Sequence, residues 1–512
     1  MTILKSLDIP RMLFLILFLT LVVSIDLLDP DYFWHIKAGE QILLHGSLPS
    51  VDMFSFTNFE RPWVLHEWLF QVLLFSIYNL LGPLGIKVMT ALLGMLPLYF
   101  AYLAVSRINQ SRTLPVLLIL VFIVPMFPFI TSRPQLISFV FFSITMFLLV
   151  QFKYLKRTRY LFALPVMMVL WVNIHGGYVV GVALLMLFTT CEFISYWQSD
   201  RLDKAYRDQL IKLAIITLIT ALSSAINPYF ISHWLYPINV MSMEASRSII
   251  TEWRSPDFHL LFFQYYLFLI LGFFIVYAYR KLKPDLTEVI IPVFFIAMGF
   301  VSSRHMPFAI LTVIPFTGIA FVKGAAATWS ESAVGMMCKK HITSGRQLGN
   351  TEYLLNWVFT LVAAIGLLLS YPIVEQMIQK NRDKIIPVKA TEFIVETGLS
   401  GRMFNTYHFG GYLIYRLYPD QRVFIDGRAD MYGDVFIQEY RKIANGESGW
   451  EKVFDKYAID YVICMRDAPI GQLLMVRGDF KLVYDDGENS ILVKDIPRYA
   501  QIISNYEQHP AQ

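Results

Sequence analysis

Two carboxylates separated by a single residue follow the first apolar segment of the chain, at Asp29 and Asp31. A carboxylate directly after a membrane-spanning segment can meet both a reactant anchored in the membrane and one dissolved in water. Within hydrogen-bond reach of an attacking hydroxyl it can act as a general base, so both residues are candidate catalytic groups, with Asp29 slightly preferred. The structural alternative is that Asp29, which precedes Pro30, caps a helix or stabilises a turn.

The loop after the acidic pair carries aromatic, histidine and carboxylate side chains that could contact a substrate. Two amphipathic stretches, near 32–44 and 63–81, flank a turn rich in Pro, Ser and Asn and are typical of helices that lie in a membrane interface. The candidate substrate-binding residues are Tyr32, His35, His66, Glu67, Trp68 and, from a later connection, Asn173.

Some of these side chains are also suitable ligands for a divalent metal ion. The candidate ligands are Asp29, Asp31, His66 and Glu67. The metal signal is weak, because the His-Glu pair lacks the His-Glu-x-x-His spacing of a zinc-binding helix. No cofactor is therefore certain, and a divalent metal ion is kept as an alternative.

The elements that must position these residues follow first from composition. The chain has 512 residues, of which 56% are hydrophobic and 16% charged, whereas soluble domains carry about 25% charged residues. This balance excludes an ordinary soluble enzyme, a disordered chain and a nucleic-acid binder, and it predicts a polytopic membrane protein. The three cysteines, Cys191, Cys338 and Cys464, form neither a disulfide framework nor a zinc cluster.

Charged residues are concentrated at the C-terminal end of the chain. From Val374 to Gln512, 37 of 139 residues are charged, against 45 of the preceding 373. The sequence therefore predicts a transmembrane domain at 1–373, with its first outer loop at 29–85, and an extracytoplasmic domain at 374–512. The second domain is long enough to bury a core of its own.

A window of about 20 mostly apolar residues finds eleven candidate spans, the first of which is expected to be an uncleaved signal anchor. They begin near Ile9, Ile86, Leu114, Leu136, Leu161, Tyr178, Ile211, Leu260, Val289, Met306 and Leu354. Nineteen Lys and Arg residues lie in one alternate set of connections and six in the other, and the richer set is expected in the cytoplasm. We therefore expect a multi-pass protein of a bacterial-type inner (plasma) membrane, with a cytoplasmic N-terminus and a periplasmic or extracellular C-terminal domain.

The C-terminal domain alternates strand and helix patterns. Apparent strands lie at 402–405, 422–426, 461–464, 480–484 and 490–493, and apparent helices lie near 390–397, 410–417, 435–443, 449–457 and 470–476. The alternation predicts a small α/β layer structure with a parallel or mixed sheet. The segment Asp426-Gly427-Arg428 follows a strand, where α/β folds commonly bind ligands. A tight turn with an Asp–Arg pair is the slightly preferred interpretation.

The order of motifs resembles that of the GT-C membrane glycosyltransferases, which include protein O-mannosyltransferases and lipid A aminoarabinose transferases. Over residues 10–105 the resemblance is carried by the first span, the acidic pair, Gly46-Ser47-Leu48-Pro49, Arg61-Pro62-Trp63 and an aromatic-rich helix leading into the second span. A further group of motifs is similar to uncharacterised bacterial GT-C-like membrane proteins. These motifs are His66-Glu67-Trp68, Arg133-Pro134-Gln135, residues 171–177 and residues 424–428.

The resemblance implies a polytopic α-helical membrane protein of GT-C architecture, with about eleven spans and a C-terminal soluble α/β domain. It further implies an inverting enzyme that is surrounded by membrane lipids. This enzyme would take a hexosyl or pentosyl group from a polyprenyl-phosphate sugar donor. The acceptor would be an extracytoplasmic glycan, lipid or protein, and no nucleic acid is involved. By the same resemblance, Asp29 or Asp31 occupies the place of the catalytic base.

Departure of a lipid phosphate leaves an anion that must be neutralised. The guanidinium group suits this task, because its planar fork matches phosphate oxygens and it stays charged, while histidine can donate hydrogen bonds. The candidate donor-phosphate residues are Arg133, Arg254, Arg304, His175 and His305. For each arginine, the alternative is an interfacial contact with lipid headgroups.

Two other functions are compatible with the composition. One is a transporter or lipid flippase, and the other is a non-catalytic membrane scaffold with the same fold. Transporters usually place ionisable residues near the bilayer midplane, whereas Asp26, Glu192 and Glu288 fall near the ends of predicted helices. The sequence therefore favours the glycosyltransferase over the transporter.

Overall fold

The computed structural model describes residues 7–27, 29–109, 113–199, 203–231, 233–236, 243–244, 250–279, 283–328 and 349–508. Cys338 and part of the basic residues used for orientation lie outside these ranges, namely Lys5, Arg112, Arg201, Arg247, Arg280, Lys281, Lys339, Lys340 and Arg346. The chain forms two compact units. We call Met1–Ile25, Lys87–Pro237 and Ile250–Ser370 the membrane unit, and Asp26–Ile86, Ile238–Ile249 and Tyr371–Gln512 the mixed unit.

Long helices account for most of the described chain up to residue 385. They are α1 (Ile9–Ser24), α2 (Pro30–His45), α3 (Trp68–Asn109), α4 (Thr113–Phe122), α5 (Gln135–Leu155), α6 (Ala163–Ile174), α7 (Tyr178–Trp197), α8 (Lys204–Ser223), α9 (Leu261–Tyr279), α10 (Leu286–Val301), α11 (Met306–Thr328) and α12 (Asn350–Ile385). Helix α3 is kinked at Gly82, where φ is 62° and ψ is −158°. Only glycine adopts such a conformation readily.

Among the described residues, six helical segments are long and apolar enough to cross a membrane. They are Trp68–Ile108, Gln135–Leu155, Tyr178–Trp197, Leu261–Ala278, Ser303–Phe321 and Asn350–Arg382. Three shorter apolar segments, Ile9–Ser24, Arg159–Ile174 and Leu286–Val301, are also present. The prediction of a polytopic helical membrane protein is confirmed, and the count of eleven spans stays a prediction.

Aromatic side chains fill the core of the membrane unit. The ring of Phe142 in α5 makes edge-to-face contacts with Phe295 in α10 and Phe308 in α11, at centroid distances of 5.0 and 4.9 Å. Interlocking rings of this kind favour one relative arrangement of the helices that carry them. The loops at the ends of α5, α10 and α11, which bear candidate arginines, are therefore held by a packed core.

Buried charges tie together one end of three of these helices. Lys153 at the end of α5 pairs with Glu192 of α7, and its Nζ lies 3.0 Å from the Asp285 carboxylate that caps α10. The Thr287 hydroxyl also donates to Glu192, at 2.5 Å. A buried carboxylate is tolerated when a cation and hydrogen-bond donors surround it. This cluster accounts for the buried glutamate of α7 without an ion path.

The C-terminal domain contains a mixed sheet, as predicted. Its strands are β1 (Met403–Asn405), β2 (Tyr461–Met465), β3 (Phe480–Asp485) and β4 (Asn489–Lys494), in the order β1-β2-β4-β3. Strands β1 and β2 are parallel, and the other two pairs are antiparallel. The helices around it are α13 (Val388–Thr397), α14 (Gly410–Leu417), α15 (Ala429–Ala444), α16 (Trp450–Lys456), α17 (Pro469–Arg477) and α18 (Ala500–Gln508).

The strand predicted at 422–426 does not join this sheet, and that prediction is wrong. Val423 instead forms an isolated bridge with Ser55, and its N–H donates to the Phe54 carbonyl at 3.0 Å. The pattern of the apolar run Val-Phe-Ile is typical of a strand, because the run is buried and extended. Its hydrogen-bonding partner is a distant loop rather than a neighbouring strand.

The loop after the first span packs with the C-terminal domain to form the mixed unit. Trp34, Phe54 and Trp63 of the loop share a buried core with Leu413 and Val423 of the domain. Helix α2 packs most extensively against α14. The charge pattern, which separates residues 1–373 from 374–512, carries no sign of this association. Two segments far apart in the chain thus build one folded unit around the acidic pair.

Candidate functional site

The acidic pair lies at the start of α2, within the mixed unit. Asp29 is the N-cap of this helix, and its Oδ1 accepts a hydrogen bond from the backbone N–H of Asp31 at 3.0 Å. Pro30 occupies the first helical position, where its missing N–H is not needed by the helix. The capping role considered for Asp29 is therefore present in the structure.

Asp31 lies in the first turn of α2, where a carboxylate is favoured by the positive end of the helix dipole. Its Oδ1 accepts a hydrogen bond from the indole Nε1 of Trp34 at 3.1 Å. Both Asp29 and Asp31 are half-buried. The same helical turn thus holds two carboxylates close to each other, one used in capping and one oriented by an indole.

Glu67 lies between two histidines just before α3. Its Oε1 is 3.5 Å from His66 Nε2, and its Oε2 is 3.8 Å from His35 Nε2. The amide Nε2 of Gln71 lies 3.3 Å from the other ring nitrogen of His35. Burial lowers the pKa of His66, but the carboxylates of Glu67 and Asp430 together raise it above its ordinary value. Three predicted substrate-binding residues therefore form one connected polar chain.

The two remaining loop candidates lie in more apolar surroundings. Tyr32 is buried, 2% exposed, with its ring 5.0 Å from that of Phe33, and Trp68 packs against the core of the mixed unit. Within the described ranges, no group of three His, Cys, Asp or Glu residues could hold a metal ion. The metal alternative therefore gains no support from the arrangement of its candidate ligands.

Two of the predicted phosphate-binding arginines converge on one carboxylate in the membrane unit. Arg133 Nη1 and Arg304 Nη1 each lie 3.5 Å from Oε1 of Glu252. Glu252 belongs to the short turn Thr251–Trp253, whose position is fixed by the hydroxyls of Ser302 and Ser303, each donating to the Glu252 carbonyl at 3.0 Å. All three charged side chains are between 23% and 30% exposed.

His175 extends this cluster from the end of α6. Its Nδ1 accepts a hydrogen bond from the backbone N–H of Gly177 at 3.0 Å and lies 2.7 Å from the Ser138 hydroxyl. That hydroxyl accepts from the indole N–H of Trp171. The other ring nitrogen, Nε2, lies 3.4 Å from Arg304 Nη2. His175 therefore joins this cluster through its contact with Arg304.

The other candidates of the membrane unit make different contacts with the described residues. Arg254 is exposed, and its carbonyl accepts from the Ser303 N–H at 2.9 Å. His305 packs near the ring of Phe308, at a centroid distance of 6.4 Å. The Asn173 amide donates to the Val169 and Ile226 carbonyls, a role in joining backbone segments.

Sequence reasoning missed Glu252 and Ser138 as members of this cluster. Glu252 lies in a loop rich in aromatic and polar residues, and Ser138 lies in the first turn of α5. Neither residue type is unusual at such a position. Their signal is spatial, because each is recognised only through its contact with an arginine or a histidine from another segment.

Comparisons with known proteins agree with this architecture. No protein-family model matches the chain, and no curated protein matches it. Among solved structures, the oligosaccharyltransferase AglB from Archaeoglobus fulgidus, in complex with an inhibitory peptide and a dolichol-phosphate, matches with a TM-score of 0.51. The identity is 12%, over 92% of this chain and 71% of that chain. ArnT from Cupriavidus metallidurans, bound to undecaprenyl phosphate, gives a TM-score of 0.48 at 14% identity, over 93% and 95%.

Both of these proteins are GT-C superfamily membrane glycosyltransferases. The match with AglB covers most of this chain, so the chain has the GT-C fold, and the fold class expected from the sequence is confirmed. At 12% identity the match speaks for the fold alone, and function has to be argued from the residues.

Proposed function

We propose that this chain is an integral-membrane glycosyltransferase that transfers a sugar from a polyprenyl-phosphate donor to an acceptor on the outer side of the membrane. The GT-C fold supports this class, and AglB, which has that fold, was solved with a dolichol-phosphate. Fold alone does not select a chemistry. The residues have to supply a base for the acceptor and a site for the departing phosphate.

The observation that carries the proposal is the convergence of Arg133 and Arg304 on Glu252. Two guanidinium groups around one carboxylate form a ready-made anion site, and the imidazole of His175 lies beside it, 3.4 Å from Arg304 Nη2. A phosphate group offers more acceptor oxygens than a carboxylate and suits bidentate contacts with arginine. The partial exposure of these side chains leaves the site open to an exchange of anions.

In the proposed reaction, Asp29 or Asp31 accepts the proton of the acceptor hydroxyl while its oxygen bonds to the anomeric carbon. The bond between that carbon and the phosphate oxygen breaks, and its electron pair leaves with the lipid phosphate. Arg133, Arg304 and His175 stabilise the developing charge through hydrogen bonds. A single displacement of this kind inverts the anomeric centre.

The remaining candidates take secondary roles in this proposal. Arg254 and His305 are further donors for the phosphate. The residues assigned to sugar or acceptor binding are Tyr32, His35, His66, Glu67, Trp68 and Asn173.

The decisive experiment replaces the carboxylates without changing their size. Purified protein is supplied with a polyprenyl-phosphate sugar and with an extract of envelope glycans and lipids as acceptor, and release of polyprenyl phosphate is compared for the parental chain, Asp29→Asn, Asp31→Asn and the double variant. A general base contributes about 10²- to 10⁴-fold to the rate, so one single variant and the double variant should lose most transfer while donor binding persists. Asp203→Asn is the matched control, because Asp203 caps α8 as Asp29 caps α2.

Two results would contradict the proposal at different points. Parental rates in all three variants would place the base elsewhere. A parental chain that binds polyprenyl phosphate but cleaves no sugar donor would favour a flippase or a scaffold.

The proposed orientation has its own test. The basic connections predict that the chain beyond Pro372 lies outside the cytoplasm. Reporter enzymes fused after Pro372 should be active only when the reporter is one that works outside the cytoplasm. Activity confined to cytoplasmic reporters would reverse the orientation.

A further inference from the structure

The turn Asp426-Gly427-Arg428 of the C-terminal domain directly contacts the acidic pair. A Cβ atom added to Gly427 would lie 1.8 Å from Asp31 Oδ1 and 3.2 Å from the indole Nε1 of Trp34. Gly427 is not among the glycines with positive φ. Its lack of a side chain therefore serves close approach to the carboxylate rather than an unusual backbone conformation.

A second glycine brings another element of the domain onto the same helix end. A Cβ atom on Gly411, in the first turn of α14, would lie 2.1 Å from the Pro30 carbonyl oxygen. Two separate segments of the C-terminal domain thus meet the start of α2 at backbone distance. Such contacts leave the acidic pair little freedom to shift against the domain.

The turn that carries Gly427 is itself held by a buried ion cluster. Arg428 donates from Nε and Nη2 to the two oxygens of Asp426, at 2.7 and 2.6 Å, and its Nη1 lies 2.8 Å from the Asp52 carboxylate. The Tyr432 hydroxyl donates to Asp426 at 2.7 Å. None of the three charged side chains is more than 2% exposed. The turn is therefore anchored both within its domain and to the first loop.

We infer that Gly427 is a positioning residue that, with Trp34, fixes the carboxylate of Asp31 in the orientation needed for catalysis. This inference rests on the proposed function and deepens it, because it selects Asp31 as the base. The Asp29 carboxylate caps α2, whereas the Asp31 carboxylate is held between an indole N–H and the backbone of the anchored turn. The C-terminal domain is then part of the catalytic machinery.

Misplacing a catalytic group by about 1 Å costs on the order of 100-fold in rate. A methyl group at residue 427 would lie 1.8 Å from Asp31 Oδ1, far inside van der Waals contact, so the carboxylate has to move. The substitution leaves the chemical nature of the base unchanged. Its effect should therefore appear in kcat and not in the KM for the donor.

The test compares Gly427→Ala with the parental chain and with Gly471→Ala, a buried glycine of α17 in the same domain that is remote from the acidic pair. We expect Gly427→Ala to lower kcat by about 10- to 100-fold, with an unchanged donor KM. Gly471→Ala should keep the parental kcat. A kcat of Gly427→Ala within twofold of the parental value would overturn the inference.

A coupling measurement separates positioning from a general loss of structure. In the Asp31→Asn background, where no base remains to be positioned, Gly427→Ala should change the residual rate less than twofold. Equal fold losses in the two backgrounds would show independent effects and contradict the inference. If Gly427→Ala does not fold, Trp34→Phe is used instead. This substitution removes only the indole donor and part of the ring, and its effect on the rate is compared in the parental and Asp31→Asn backgrounds in the same way.

The failures of the two proposals give different results. If the parental chain transfers no sugar, the proposed function fails before Gly427 is tested. If it transfers sugar and Asp29→Asn, but not Asp31→Asn, abolishes transfer, the proposed function stands and the present inference is wrong.

Discussion

Two arginine clusters, one in each unit, differ in charge ratio, distance and burial. In the mixed unit, the carboxylates of Asp52 and Asp426 meet the Arg428 guanidinium at 2.8 and 2.6 Å, and all three are almost fully buried. The rings of Phe54 and Trp63 cover the guanidinium at 5.2 and 4.5 Å. A cluster closed on every side in this way contributes to structure.

The cluster of the membrane unit reverses each of these properties. Two guanidinium groups, of Arg133 and Arg304, share the carboxylate of Glu252 at 3.5 Å, and about a quarter of each side chain is exposed. Partly exposed ion pairs at this distance are weak, and under the proposed function the lipid phosphate replaces the carboxylate. The same residue type thus occupies two environments, one closed around a buried pair that holds the fold and one open that the proposed function assigns to ligand binding.

The largest expected effect concerns the buried cluster of Asp52, Asp426 and Arg428, which we call the closed cluster. Arg428→Ala leaves two buried carboxylates without their cation, and breaking a buried pair in this way costs about 3–5 kcal/mol. We expect a large fall in the unfolding temperature of the purified protein and early proteolytic cleavage within the C-terminal domain. Lys456→Ala is the control, because Lys456 pairs with Glu439 on the exposed surface. A comparable loss in both variants would remove the distinction between closed and open clusters.

We call the partly exposed group of Arg133, Arg304 and Glu252 the open cluster. Substitutions in it should lower the turnover rate and leave the stability of the protein unchanged. Arg304→Lys keeps the charge but loses the planar fork. We expect turnover to fall by about 10- to 100-fold, less than the ~100- to 1,000-fold lost when a preorganised donor is removed outright, because lysine still donates. The unfolding temperature should stay at the parental value. The matched control is Arg207→Lys, since Arg207 also lies 3.5 Å from a carboxylate but on an exposed helix. Parental turnover in Arg304→Lys would refute a phosphate contact for this residue.

Local pattern predicted much of the fold. Helix α14 was predicted with its observed bounds, and the strands β1 to β4 were each found within two residues, because burial and turn residues mark such elements locally. The run at 422–426 carries the same apolar pattern, yet its partner is the loop segment around Ser55. Pairing across such a sequence distance leaves no local mark.

The candidate site was predictable in its residue types but not in its groupings. The sequence indicated Arg133 and Arg304 through their place after apolar segments, and the structure groups them around Glu252, which the sequence did not indicate. The sequence did not indicate the role of Asp52 either, because an aspartate in a turn is usually expected to be exposed to solvent. Its burial beside Arg428 depends on a domain that begins more than three hundred residues later.

Removing the shared carboxylate sharpens the contrast between the clusters. Glu252→Gln keeps the shape of the open cluster but eliminates the competing negative charge, so anions should bind more tightly. We expect inhibition by inorganic phosphate to strengthen by about two- to fivefold, the worth of a half-exposed ion pair. Asp52→Asn, its counterpart in the closed cluster, should lower the unfolding temperature and leave phosphate inhibition unchanged. Weaker phosphate inhibition in Glu252→Gln would mean that Glu252 supports the arginines instead of competing with the ligand.

The smallest expected effect concerns His66, whose environment is intermediate between those of the two arginine clusters. Burial lowers the pKa of His66, and the carboxylates of Glu67 and Asp430 raise it by more, so the folded-state pKa lies above that of the unfolded chain. The charged histidine therefore adds stability that is fully present below the unfolded pKa of about 6.5 and is lost as pH rises through the folded pKa. As pH rises above about 6.5, the unfolding temperature of the parental protein should fall more than that of His66→Gln. His45→Gln, at the exposed end of α2, should keep the parental pH dependence. If the unfolding temperature falls equally with pH in His66→Gln and in the parental protein, other groups cause the pH dependence. The interaction of His66 with Glu67 and Asp430 would then make no measurable contribution to stability.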